Sequence, residues 1–97
     1  MWVGWMQLDL MLGDVHSLKE KRSILRPILA DLSRRTEAAA AETGGHELHR
    51  RAEIGIAVVA ASAAHVRDVL DGAERVMAEH PEVTLLSAGR GLHSSED

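Results

Sequence analysis

Three cations near the start of the chain, Lys19, Arg22 and Arg26, stand three and four residues apart. On a helix of roughly 100° per residue they fall within about 60° of one another. A ridge of that kind can meet phosphate or carboxylate. His16 and Ser17 stand just ahead of it, where the free amides of a helix N-terminus also favour anions. His16, Ser17, Lys19, Lys21, Arg22 and Arg26 are therefore the candidate residues for anion or RNA contact. Ser17 and Glu20 compete for the same end. They have the Ser-x-x-Glu spacing of a capping box, in which the Ser17 hydroxyl accepts from the Glu20 amide and the Glu20 carboxylate reaches back to the Ser17 amide.

Other chemistries find little support. His46 and His49 lie near Glu47 and Glu53, but a polar turn presents them and the Glu of the zinc-protease helix is missing, so no metal site is expected. The seven serines sit in no nucleophile-elbow context, and none has a base beside it in sequence. Gly44-Gly45 and Gly89-x-Gly91 are too short for a dinucleotide or phosphate-loop fingerprint. There is no cysteine, which excludes disulfides, thiolate metal sites and cysteine nucleophiles. No catalytic residue and no cofactor are expected. Base stacking on a sheet is also excluded, because there is no Phe or Tyr and only Trp5 points away from the presumed core.

The chain has 97 residues and 10.5 kDa, enough for one domain. Its formal charge is −4, unevenly spread: residues 1–51 sum to +1 and residues 52–97 to −5. An acidic whole argues against strong non-specific nucleic-acid binding, so any RNA contact must come from the local cluster. The first twelve residues are apolar but carry Asp9 and no basic flank, so they do not read as a signal peptide. They are also too short to span a bilayer as a helix. No membrane partner is expected, and the expected location is the cytoplasm.

The elements that must hold the cluster follow from periodicity. Met6, Leu8, Leu10 and Leu12 share one parity of a strand, with Gln7 and Asp9 on the other. Leu18, Leu25, Ile28, Leu29 and Leu32 share one helical face, with Pro27 expected to kink the helix near its middle. The end of that helix is ambiguous. Ala38 to Ala41 favour helix, yet the large apolar residues stop at Leu32, and residues 37–42 could equally be a short edge strand. The run Ile54 to Ala61 suits a strand buried on both sides. Ser62 is a plausible N-cap for an amphipathic helix with Val66, Val69, Leu70, Ala73, Val76 and Met77 inward, ended by Pro81. Residues 83–90 read as a weaker, shorter strand.

The order β-α-(β)-β-α-β gives an α+β reading: a ferredoxin-like βαββαβ fold, with a four-stranded antiparallel sheet and two helices on one face. Residues 1–91 form the single domain and residues 92–97 a flexible C-terminal tail. The other sheet face, carrying Val3 and Trp5, is then left apolar and uncovered. Those two residues are the interface candidates, and a homodimer through the open face is expected.

At this point the residues become recognisable. Gly13-Asp14-Val15-His16-Ser17-Leu18-Lys19-Glu20-Lys21-Arg22-Ser23, the strand Ile54 to Val59, Ala64-His65-Val66 and His80-Pro81-Glu82-Val83 resemble the YlxP-like bacterial proteins, a family of unknown function (DUF503). The resemblance covers most of residues 1–91. It implies the ferredoxin-like fold, and it implies that residues 37–42 are a strand. Genes for proteins of this family are often found beside translation and ribosome-maturation genes. His49 stands where the family usually has an aromatic residue. The expected function is a non-catalytic accessory protein acting on ribosomal RNA or a ribosome-associated protein. The alternative is a small homo-oligomeric sensor that binds an anionic metabolite between subunits.

Overall fold

Alternation along β1 (Trp2–Leu12) buries Met6, Leu8, Leu10 and Leu12 on one face. Its neighbour β3 (Arg51–Ala60) does the same with Ala52, Ile54, Ile56 and Val58. The two pair antiparallel with Met6 opposite Ile56 and Leu8 opposite Ile54, so one continuous apolar floor results. The computed structural model describes residues 1–96. The remaining elements are α1 (Leu18–Arg35), β2 (Ala39–Gly44), α2 (Ala63–Ala78) and β4 (Val83–Ser94), and the sheet order is β2-β3-β1-β4. This is the ferredoxin-like α+β arrangement, with β1 and β3 central and both helices on one face. Leu25, Ile28 and Leu32 of α1, and Val66, Leu70, Ala73, Val76 and Met77 of α2, close the core from above. Gly4 is the point of closest approach. A Cβ there would collide with Val66, so its bare backbone lets α2 descend onto β1.

Four expectations are decided by the structure, three of them against the sequence reading. First, β3 is buried on one face only. Val59 is 60% exposed on the other, because the second face has no covering layer. Second, α1 continues past Pro27, as the in-phase apolar stripe requires, and Pro27 lies on its exposed side. The Ser23 carbonyl that the proline leaves unpaired can there be served by water. Third, β2 occupies residues 39–44 rather than 37–42. Thr36 stops the helix: its amide and hydroxyl both donate to the Leu32 carbonyl, at 3.0 and 2.6 Å, and its hydroxyl then accepts from Ala38 N. Beyond it, Ala39 to Glu42 pair with Ala57 to Ile54 of β3. Ladder bonds outweigh the few tenths of a kcal/mol per residue that alanine's helix preference supplies. Fourth, β4 is the longest strand. Gly91 to Ser94 pair with Trp5 to Trp2, so three residues expected in the tail belong to the sheet. Asp97 lies outside the described residues.

Candidate functional site

The start of α1 is organised by its cap. Ser17 Oγ accepts from Glu20 N at 3.1 Å, as the spacing requires. The Glu20 carboxylate reaches one residue further back than expected and accepts from His16 N at 3.3 Å. The anion-favouring end of the helix therefore already holds an anion. His16 is exposed, with Nε2 2.9 Å from Asp14 Oδ1.

Past the cap, the cations divide. Lys19, Arg22 and Arg26 are exposed, and among the described residues none of them has a carboxylate within ion-pair distance. Lys21 is different. It is only 2% exposed, and its Nζ donates to Gly45 O at 2.6 Å and Leu48 O at 2.8 Å. Glu42 Oε2 lies 2.8 Å from the same ammonium. It sits off the hydrogen-bond directions, so that contact is one of charge. Lys21 is thus withdrawn from the anion-binding set: it is the peg that fastens the β2–β3 connection to α1. A signal for this existed. Lys21 stands three residues after Leu18 and four before Leu25, inside the apolar stripe rather than on the ridge.

That peg brings a second basic segment to the same end of the molecule. Arg50 Nε donates to Gly13 O at 2.9 Å, and its carbonyl accepts from Leu12 N. Arg51 follows, exposed at the start of β3. Sequence spacing cannot reveal this juxtaposition, because only the fold brings residues 45–51 to residues 13–22. The two remaining cations of α1 are engaged elsewhere. Arg34 and Arg35 lie 2.9 and 3.2 Å from Asp31, and Arg35 also pairs with Glu79 at 2.8 Å. The Arg35 hydrogen bond holds the Glu79 carboxyl below the usual range.

A histidine held by carboxylates sits at the far end of α1. His80 Nε2 is 2.9 Å from Asp31 Oδ2 and Nδ1 is 3.2 Å from Glu82 Oε1. Only an imidazolium can donate from both nitrogens. Burial works against that charge, but the bonds to Asp31 and Glu82 outweigh it and raise the His80 pKa. A ring with both nitrogens occupied cannot take a proton from a nucleophile, so this cluster serves packing.

The open sheet face is less bare than expected. Val3 is half-buried, and the Trp5 indole lies over Gly91, where a Cβ would collide with it. Beside Trp5 runs a shallow groove of about 440 Å³ floored by Ala39, Ala41, Gly55 and Ala57. Its polar end is internally bonded: Gln7 Nε2 and Thr43 Oγ1 both donate to Glu53, each at 2.7 Å. Among the described residues no helix is long and apolar enough to cross a membrane.

A family model for a protein of unknown function (DUF503) matches residues 3–90. The uncharacterized protein YlxP of Bacillus subtilis (strain 168) is 27% identical over 81 residues, spanning 84% of this chain and 88% of YlxP. Among solved structures, the de novo designed protein Foldit4 superposes with a TM-score of 0.58 at 7% identity, covering 98% of this chain and 99% of its own. SnoaB, a cofactor-independent oxygenase from Streptomyces nogalater, reaches 0.46 at 11% identity, over 99% of this chain and 94% of that one. The designed protein shares the fold alone.

Proposed function

The chain belongs to the DUF503 family of proteins of unknown function, and from that premise we propose a non-catalytic, cytoplasmic accessory role in which α1 docks on ribosomal RNA. The observation that carries this reading is the unpaired ridge of Lys19, Arg22 and Arg26 on the exposed side of α1. Their positions rise along the helix by roughly 4.5 and 6 Å, a spacing suited to phosphates along one strand. Arg50 and Arg51 extend the positive charge onto the adjoining loop. With no exposed aromatic beside the ridge, contact is through phosphates and shape rather than base stacking.

The alternative of a sensor for an anionic metabolite is weakened by Glu20, whose carboxylate already fills the end of α1 where an anion would sit. Three phosphate contacts predict a salt slope of about −2 to −3, hence roughly 20- to 40-fold weaker binding between 50 and 200 mM salt. Fluorescence anisotropy with a ribosomal RNA fragment measures this directly. The triple variant Lys19→Glu, Arg22→Glu, Arg26→Glu is expected to abolish binding while the fold survives. Unchanged affinity in that variant overturns the reading.

A further inference from the structure

The sheet has two free edges, and they are built differently. The β2 edge is short, six residues, and broken by a bulge between Glu42 and Gly44. His46 Nε2 lies 3.1 Å from the Glu42 carbonyl and covers part of it. These are the devices by which a protein keeps an edge from recruiting another strand. The β4 edge has few of them. It runs twelve residues with no proline, lysine or acidic side chain. Its one bulge, at Leu86, leaves residues 87–94 as a regular run along β1. Nothing among the described residues pairs with the outer side of Thr84 to His93.

Residues 84–90 of this strand are also exposed on both faces. The helices lie over β2, β3 and β1. Leu85, on the helix side, is 46% exposed, and Ala88 beside it is exposed too. The single permanent charge, Arg90, arches over to α2, where it lies 2.9 Å from Asp71 and 3.1 Å from Glu74. Pairing along this edge would therefore bury no unpartnered charge.

We infer that β4 pairs antiparallel with β4 of a second copy of this chain, joining two four-stranded sheets into one of eight. A row of open backbone donors and acceptors is satisfied by a strand. An antiparallel pair about a two-fold axis satisfies both copies at once and leaves only the short, blunted β2 edges outermost. The strand on hand with matching length and matching neutrality is β4 itself. The β2 edge is too short and too blunted to serve. The open face at Val3 and Trp5 is the competing site, but its polar half is already bonded internally.

Two substitutions separate the edge from the face. Ala88→Lys puts a charge on the helix side of β4, whereas Val59→Lys puts one on the open face of β3. Sedimentation of the full chain from about 5 to about 500 µM should show the 10.5 kDa mass doubling. Ala88→Lys is expected to weaken the dimer by at least about tenfold, since each copy then carries on the paired strand the lysine by which sheet edges resist pairing. Val59→Lys should leave it intact. Hydrogen exchange on the unaltered chain is the second measurement: protection of amides 87–93 should rise with concentration. A monomer throughout, a dimer that Val59→Lys disrupts, or exchange independent of concentration overturns the inference.

Discussion

Among the described residues two charged side chains are buried, and both belong to α1. Lys21, near its start, fastens the β2–β3 connection. Asp31, near its end, gathers His80, Arg34 and Arg35 and so ties α1 to the segment that follows α2. Between them the helix is held at both ends by charge and along its length by leucine and isoleucine. The two anchors differ in kind. Lys21 is met by two carbonyls and one carboxylate, all from one connection, and no imidazole takes part. Asp31 is met by three cations, one of which is an imidazolium that can lose its proton. The first anchor is a matter of burial, the second a matter of pH.

The largest expected effect comes from breaking the first. Lys21→Met leaves the Glu42 carboxylate close to the core without its counter-charge, and such losses cost about 3–5 kcal/mol. Thermal unfolding should fall by more than about 10 °C. Adding Glu42→Gln should restore part of the loss, because the orphaned charge is then gone. If Lys21→Met unfolds at the wild-type temperature, the peg is not structural.

The second anchor gives a smaller, pH-shaped effect. The hydrogen bond from His80 is the main reason the Asp31 carboxyl sits below its ordinary 3.8, aided by Arg35 and Arg34 against burial. A lowered carboxylate stabilises above its ordinary value and stops doing so as pH falls through the folded one. The raised imidazolium of His80 works the other way. Its contribution is complete below the ordinary 6.5 and is lost as pH rises through the higher folded value. His65, raised by its hydrogen bond to Glu37, adds to the same alkaline arm. Unfolding temperature should therefore be highest between about pH 4.5 and 6.5 and decline as pH rises through the raised His80 and His65 values. His80→Gln should flatten most of that decline. An unaltered profile would show that the ring is not clamped.

The smallest effect is expected outside both anchors. Lys19→Ala, Arg22→Ala and Arg26→Ala remove charges that touch no described carboxylate, so each should change stability by no more than about 0.5 kcal/mol. Denaturant titration checks this. A large loss at any of them would mean that the ridge is part of the scaffold rather than a free surface.

Much of the scaffold was readable from spacing. The alternation in β1, the Ser17 and Ser62 caps and the stripe of α2 all stand where periodicity puts them. Four features were not readable that way. The helix end at Thr36 depends on ladder bonds to β3 that outweigh local preference. The length of β4 depends on β1 offering eleven residues to pair with. The apolar stripe puts Lys21 inward, but its partners Gly45, Leu48 and Glu42 reach it only through the fold. Asp31 and His80 are 49 residues apart, and no local pattern joins them.

What the amino-acid order determined by itself is the set of amphipathic elements, because each carries its period within a dozen residues and burial enforces that period. Which cations face water, which edge stays open and which carboxylate meets which histidine were decided only when the layers closed. Those depend on groups far apart in the chain arriving within about 3 Å, and that distance is a property of the packed molecule.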